Sequence, residues 1–275
     1  MTLLSTSDFI KKYQLDAKKS LGQNFILDKN FTDKIVRSAG SLEDELILEI
    51  GPGPGSLTKS ILDQNIKKLI VIEKDQRCLN ILHEIQQFYG QKLQIIEEDA
   101  LKIDESNIFD NKKFKIIANL PYNISVILIF KWLKVSDKIS SMTLMVQKEV
   151  AQRIVAKVGD KNYGRLSVMI NYLCETKINF IVNNSVFKPQ PKVTSAIIQI
   201  TPKVDVVDFD EFKRLEKVVA VAFNQRRKML KKSLKSLFID PTFSLEKLGI
   251  DSKLRPENLS IRQFLNIANY TNSSL

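Results

Sequence analysis

Four short apolar runs, at residues 46–50, 69–73, 93–96 and 114–118, alternate with stretches of helical periodicity over 28–39, 56–64 and 76–88. Strand–helix alternation of this kind specifies a parallel sheet covered on both faces, because each crossover helix must bury its apolar stripe against the strands. Helices are also predicted over 125–134 and 148–157, and strands at 141–146, 178–182 and 194–200, the last two as a hairpin at the sheet edge. After Thr201-Pro202 only helical patterns remain: 211–237 as one long helix or two, 245–248 with Ser244 as cap, and 261–270 with Ser260 as cap. The expected architecture is an α/β domain over 1–201 and a small all-helical domain over 202–275, with residues 1–20 a basic, mobile arm.

At 275 residues and 44% apolar content the chain can build a sizeable core. Cys78 and Cys174 share no metal or redox spacing and His83 is the one histidine, which argues against a zinc site or a Ser-His-Asp triad. No run of uncharged apolar residues is long enough for a membrane span, and the first residues lack the apolar core of a secretion signal, so a cytoplasmic protein is expected. The formal charge of +11 points to a polyanionic partner.

Between the first predicted strand and its helix lies Glu49-Ile50-Gly51-Pro52-Gly53-Pro54-Gly55. Glycines there permit a tight turn and close approach of a ligand to the backbone. A pyrophosphate cradle works through amide N–H groups, and Pro52 and Pro54 supply none. No Gly-Lys-Ser/Thr follows, which excludes an ATP P-loop. The loop suits a ligand without phosphate; the alternative is a bare strand-to-helix turn. Glu73 ends the second predicted strand and is placed to take both hydroxyls of a ribose, whereas Asp75 is read as the cap of the next helix. Among Glu97, Glu98 and Asp99 after the third strand, Asp99 beside Ala100 is the candidate acceptor for an adenine amine. An adenosine carrying no phosphate, at the carboxyl ends of parallel strands, fits S-adenosylmethionine.

Asn119-Leu120-Pro121-Tyr122 closes the fourth predicted strand. The side-chain oxygen of Asn119 and the backbone carbonyl of Pro121 are candidate acceptors for the two hydrogens of an exocyclic amine, and Tyr122 is a stacking face. Two such acceptors would aim the nitrogen lone pair at a sulfonium methyl, so alignment and charge placement lower the barrier without histidine or metal. A base must leave its helix to enter such a pocket, which implies single-stranded or looped nucleic acid. The alternative is a turn preceding a capped helix. Phe187, stiffened by Pro189 and Pro191, is a candidate for the second face of the base slot, or else a core anchor.

Taken together these segments resemble the KsgA/RsmA ribosomal RNA adenine dimethyltransferases over nearly the whole chain. Leu21-Gly22-Gln23-Asn24-Phe25-Ile26 resembles the family's N-terminal motif, with Ile26 for the usual leucine. Glu49 to Thr58 resembles its methionine-side loop and Asn119 to Ser125 its catalytic motif, with Val126 where Thr or Ser is usual. Gln147 to Ala151, Tyr163 to Val168, Phe187 to Ser195 and Ala222 to Lys228 are further matching segments. The resemblance implies a Rossmann-like class I methyltransferase sheet with S-adenosylmethionine contacts at Asn24, Ile26, Gly51, Glu73, Asp99 and Asn119. It implies dimethylation at N6 of two adjacent adenosines in the loop of the last helix of small-subunit rRNA, on assembling 30S subunits. The Gly-Pro-Gly loop, Tyr163-Gly164-Arg165-Leu166-Ser167 and Phe223-Asn224-Gln225-Arg226-Arg227-Lys228 favour this class over the Erm-type enzymes that modify large-subunit rRNA. A DNA adenine methyltransferase, the other alternative, usually needs a separate target-recognition domain for which the C-terminal residues leave little room.

Arg226, Arg227, Lys228, Lys231, Lys232 and Lys235 place six positive charges within ten residues, interleaved with Met229, Leu230, Leu234 and Leu237. An amphipathic helix there would present its basic face to RNA phosphates. Lys11, Lys12, Lys18, Lys19, Arg153 and Lys157 are further candidates. A membrane surface is the rival partner for such a helix, and its low aromatic content disfavours it. No helix shows a second apolar stripe left for a partner copy, so a monomer is expected.

Overall fold

The computed structural model describes residues 3–18, 22–203 and 208–273. In chain order the elements are α1 (Thr6–Lys12), β1 (Phe25–Ile26), α2 (Lys29–Ser38), β2 (Leu46–Ile50), α3 (Ser56–Leu62), β3 (Lys68–Ile72), α4 (Gln76–Tyr89), β4 (Leu93–Ile96), β5 (Phe114–Asn119), α5 (Ser125–Leu133), β6 (Ile139–Gln147), α6 (Lys148–Val155), α7 (Arg165–Leu173), β7 (Cys174–Val182), β8 (Phe187–Lys188), β9 (Ser195–Pro202), α8 (Phe209–Asn224), α9 (Leu230–Ser233), α10 (Pro241–Lys247) and α11 (Ile261–Ser273). They fall into two compact units, Met1–Ala151 with Lys177–Pro202 and Gln152–Thr176 with Lys203–Leu275.

The first unit is built on a seven-stranded sheet ordered β4-β3-β2-β5-β6-β9-β7. From β4 to β6 the neighbours are parallel, and β9 runs antiparallel to β6 with Met145 opposite Ile197. The strands read as almost unbroken buried apolar runs, Ile47-Leu48 in β2, Leu69 to Ile72 in β3 and Ile116-Ile117-Ala118 in β5, as a sheet covered on both faces requires. The chain winds outward from β2 through β3 to β4, then returns to pair β5 on the other side of β2. That reversal opens a crevice beyond the carboxyl ends of β2 and β5, where sheets of this kind bind ligands.

Local capping explains most boundaries. Asp28 caps α2 by accepting from Asn30 N–H, and Asp75 caps α4 by accepting from Arg77 N–H, as expected for Asp75. The N-terminal arm departs from expectation. Residues 6–12 form a helix capped by Ser5, and Phe9, fully buried, anchors it in the core of the unit. Burying a phenylalanine side chain is worth roughly 1.5–3 kcal/mol, enough to hold a two-turn helix that would not persist alone. Lys19 and Leu21 lie outside the described residues.

The second unit is helical. Phe212, Leu215, Val218, Val219 and Ala222 form one buried stripe on α8, with Phe264, Ile267 and Ala268 of α11 also buried. The Phe223 ring lies 5.8 Å from Phe264 and 6.2 Å from Tyr163, whose hydroxyl donates to the Leu259 carbonyl at 3.0 Å. Two differences from the sequence reading stand out. Residues 152–176 group with the C-terminal helices instead of with the sheet, because α7, unforeseen as a helix, packs on α8. The stretch 211–237 is not continuous either: Gln225 leaves the helical region (φ −122°, ψ 50°), and Arg226 turns to the Glu257 carboxylate (2.7 Å) and the Lys161 carbonyl (2.6 Å). Only four helical residues follow, in α9.

Candidate active site

The crevice at the β2/β5 reversal is a cavity whose walls come from five segments of the first unit: Gly22 to Ile26, Glu49 to Leu57 without Gly55, Ile72 to Lys74, Glu98 to Ala100, and Asn119 to Ile124 without Asn123. Gly51, Gly53 and Gly55 all have positive φ, at 64°, 55° and 75°. At Gly55 a Cβ would also sit 2.4 Å from Ile85 Cδ1 of α4, so the end of that side chain would have to move. The turn is tied to the neighbouring strand by Gly51 N–H donating to the Ile72 carbonyl at 2.9 Å.

Two carboxyl groups lie beneath the turn. Glu73 accepts from Gly53 N–H at 3.0 Å and from Asp75 N–H at 2.8 Å. A carboxylate has about four acceptor sites, so capacity for two ribose hydroxyls remains. Glu49, 1% exposed on β2, accepts from the Thr58 hydroxyl at 2.7 Å. Burial pushes its carboxyl up to about 8, opposed by the Thr58 hydrogen bond and reinforced by the Glu73 charge. At pH 7 Glu49 therefore favours its protonated form, while at Glu73 burial also raises the carboxyl, opposed by the N–H groups of Asp75 and Gly53. The Glu73–Glu49 relation was not read from the sequence, where Glu49 counted only as the start of the glycine loop.

Asp99 borders the far end of the cavity. Its Oδ1 accepts from Leu101 N–H at 3.0 Å and its Oδ2 lies 3.4 Å from Lys74 Nζ. These interactions, the backbone N–H foremost, hold its pKa below the usual value, so it remains an acceptor. The opposite wall is Gly22 to Ile26. Gln23 fastens it by donating to Asp75 Oδ2 at 2.7 Å, and β1 fastens it by pairing Ile26 with Phe187 of β8.

At the end of β5, Asn119 Nδ2 donates to the Asn24 carbonyl at 3.5 Å, and its Oδ1 has no donor among the described residues. The carbonyl of Pro121 is already engaged, accepting from Ile124 N–H at 3.2 Å and Ser125 N–H at 3.1 Å. It closes the turn that starts α5 and is not available as the second acceptor expected of it. Leu120 lines the same cavity, and its carbonyl, which precedes the donorless Pro121, receives no hydrogen bond among the described residues. Tyr122 lines the cavity too, its hydroxyl 2.6 Å from Oγ of Ser195, a fully buried residue of β9.

Asn24, Ile26, Gly51, Glu73, Asp99, Asn119, Pro121 and Tyr122 thus converge on one cavity. Phe187 does not line it. Phe187 is 4% exposed and borders a separate surface recess with Leu27, Asp28 and Gln190. The donor set fits an adenosine with a cationic tail: Glu73 for the ribose, Asp99 at the far end, glycines for close approach, and no cation within the loop to receive phosphate.

A phosphate-free adenosine cavity at the switch point of a seven-stranded sheet with an antiparallel β9 defines a class I S-adenosylmethionine-dependent methyltransferase. Residues 14–273 match the family described as Ribosomal RNA adenine dimethylase, and the chain belongs to that family. It is 47% identical over 266 residues to a Ribosomal RNA small subunit methyltransferase A of Agrobacterium fabrum, covering 95% of each chain. A relative of the same name from Rhodopseudomonas palustris is 44% identical over 269 residues, covering 97% of this chain and 93% of the relative. Among solved structures, a dimethyladenosine transferase from Plasmodium falciparum superposes with a TM-score of 0.77 at 30% identity, over 90% of this chain and 98% of that one. The 23S rRNA methyltransferase ErmE superposes at 0.70 with 24% identity over 90% of this chain, a likeness of fold.

Proposed function

We propose that the chain transfers methyl groups to N6 of two adjacent adenosines in the loop of the 3′-terminal helix of small-subunit rRNA, two to each, on assembling 30S subunits in the cytoplasm. The observation that carries the chemistry is the pair of open acceptors, Asn119 Oδ1 and the Leu120 carbonyl, on one wall of the cofactor cavity. Bound S-adenosylmethionine supplies a methyl group on an electrophilic sulfonium. Held through both of its hydrogens in the first transfer and through the remaining one in the second, the target amine presents its nitrogen lone pair toward that methyl. Both acceptors gain strength as positive charge develops on the nitrogen, so their contribution is greatest in the transition state. Tyr122 offers a stacking face whose hydroxyl is fixed by Ser195. The proton released after transfer passes to water.

Phe187 reaches a base only if its ring faces the slot from the β1/β8 ribbon, and its burial favours the alternative role of core anchor. Exposed cations suit the rRNA backbone: Lys11 and Lys18 on the first unit, and Arg153, Lys157, Arg227, Lys228, Lys232 and Lys235 on the second. Lys12 is paired with Glu84 at 2.6 Å and Arg226 with Glu257, so both have structural roles as well. The helical unit is read as a ribosome-contacting unit and the protein as a monomer.

The test is transfer from labelled cofactor to three acceptors: small-subunit precursor particles, large-subunit particles and duplex DNA. Label confined to the first, recovered as dimethyladenosine, is the expected result. Label on large-subunit RNA would favour the Erm-type reading, and label on duplex DNA would favour a DNA methyltransferase.

A further inference from the structure

Helix α5, Ser-Val-Ile-Leu-Ile-Phe-Lys-Trp-Leu, begins three residues after Tyr122 and carries a single charge, Lys131. Its side chain is 26% exposed and its ammonium is fully occupied. The three hydrogens of an ammonium meet the carbonyl of Ala100 at 2.7 Å, the carbonyl of Ile103, and the Glu105 carboxylate at 2.9 Å. Glu105 is 2% exposed, and its Oε1 also accepts from Nε1 of the fully buried Trp132 at 3.0 Å. Two consecutive residues of α5 therefore clamp the segment that leaves β4.

That segment starts with Asp99 and Ala100, which line the cofactor cavity. A buried ion pair is not needed for stability, because an apolar pair of similar volume serves as well or better. What the charged arrangement adds is direction: two backbone carbonyls and one carboxylate are held at fixed points on the helix that follows the reactive tetrapeptide. We propose that Lys131 is a positioning residue for the cofactor, fixing the Asp99–Ala100 end of the cavity relative to Asn119–Tyr122. This rests on the reading of that end as the adenine site.

The experiment measures binding of S-adenosylhomocysteine to the full chain by calorimetry, together with cofactor KM and kcat on small-subunit particles. The variants are Lys131→Met, Lys131→Arg, and Lys131→Met with Glu105→Gln, the last removing both charges while keeping an acceptor for Trp132. Lys131→Met and the double variant are expected to weaken S-adenosylhomocysteine and raise cofactor KM about tenfold, with kcat at saturating cofactor within about twofold and Lys131→Arg recovering most of the affinity. A merely structural lysine would lower the melting temperature without moving either constant. Unchanged affinity in the folded variants would overturn the proposal, and so would failure of both methionine-bearing variants to fold, which would assign Lys131 to stability. Failure of the parent chain to bind S-adenosylhomocysteine would instead overturn the reading of the cavity.

Discussion

Asn119 has its amide nitrogen turned to the Asn24 carbonyl, so one side chain joins the N-terminal wall to the reacting edge of the cavity. In the proposed reaction, Asn119→Ala removes an acceptor that matters most in the transition state. By analogy with loss of one preorganised hydrogen bond at an active site, kcat should fall about 10²–10³-fold while S-adenosylhomocysteine affinity changes only a few-fold. Single-turnover methyl transfer and calorimetry check the two halves of that statement. Ser195→Ala should lower kcat by a smaller factor, about three- to tenfold, by freeing the Tyr122 ring, and Tyr122→Phe should then add little to it in a double-mutant cycle. Glu49 gives a pH signature. Its carboxyl has an ordinary pKa of 4.5 and is held near 8 in the folded state. Below 4.5 both states are protonated; between 4.5 and 8 only the folded state keeps the proton, so its contribution to stability is lost as pH rises through that window. Glu49→Gln should flatten this decline by up to a few kcal/mol, measured by urea unfolding at pH 5 and pH 8.5. At this scale the residue types were legible, since Asn119, Glu73 and Asp99 sit where strand ends had to place them. The proposed acceptor carbonyl, that of Leu120, was not. Sequence shows that Pro121 lacks an N–H, but not that its own carbonyl would be consumed by Ile124 and Ser125.

Among elements, the glycine turn between β2 and α3 is constrained by its positive φ values. Gly55→Ala combines a left-handed φ of 75° with a contact 2.4 Å from Ile85 Cδ1. The backbone strain, with a smaller cost for moving the end of Ile85, should come to about 1–3 kcal/mol, seen as a melting temperature lowered by several degrees. The strands were readable because each is a dense apolar run, and β2 and β4 have the boundaries their sequences predict. Helices were less so. The last turns of 211–237 keep helical composition, yet Leu230 and Lys231 N–H groups donate to the Leu254 and Ser252 carbonyls, a long-range pairing that composition cannot reveal. Asp240, not Ser244, caps α10, accepting from Thr242 and Phe243 N–H, because Pro241 at the first helical position starts the helix earlier. The arm at 6–12 is short and polar enough to pass for a mobile segment, yet Phe9 is buried in the core and Ile10 packs against it.

On the scale of the whole molecule, the +11 charge becomes a statement about salt. Binding to small-subunit particles should weaken linearly in log affinity against log salt, and replacing Arg227 or Lys228 by Gln should reduce the slope by about 0.7–0.9 each without changing which adenosines are modified. Among the described residues no helix is long and apolar enough to cross a membrane. The sheet order could be anticipated only as a class, because the pairing of β5 beside β2 joins strands more than sixty residues apart, yet that pairing creates the crevice that the proposed cofactor residues line. Dimethylation of paired adenosines of small-subunit rRNA in this crevice can be read directly on the RNA. The most direct measurement is nuclease mapping and mass analysis of rRNA from precursor particles incubated with the purified chain and S-adenosylmethionine. Dimethylation of two adjacent adenosines in the 3′-terminal loop, lost with Asn119→Ala, is the predicted result. Particles whose 3′-terminal loop stays unmethylated, under conditions where the chain binds both them and S-adenosylhomocysteine, would contradict it.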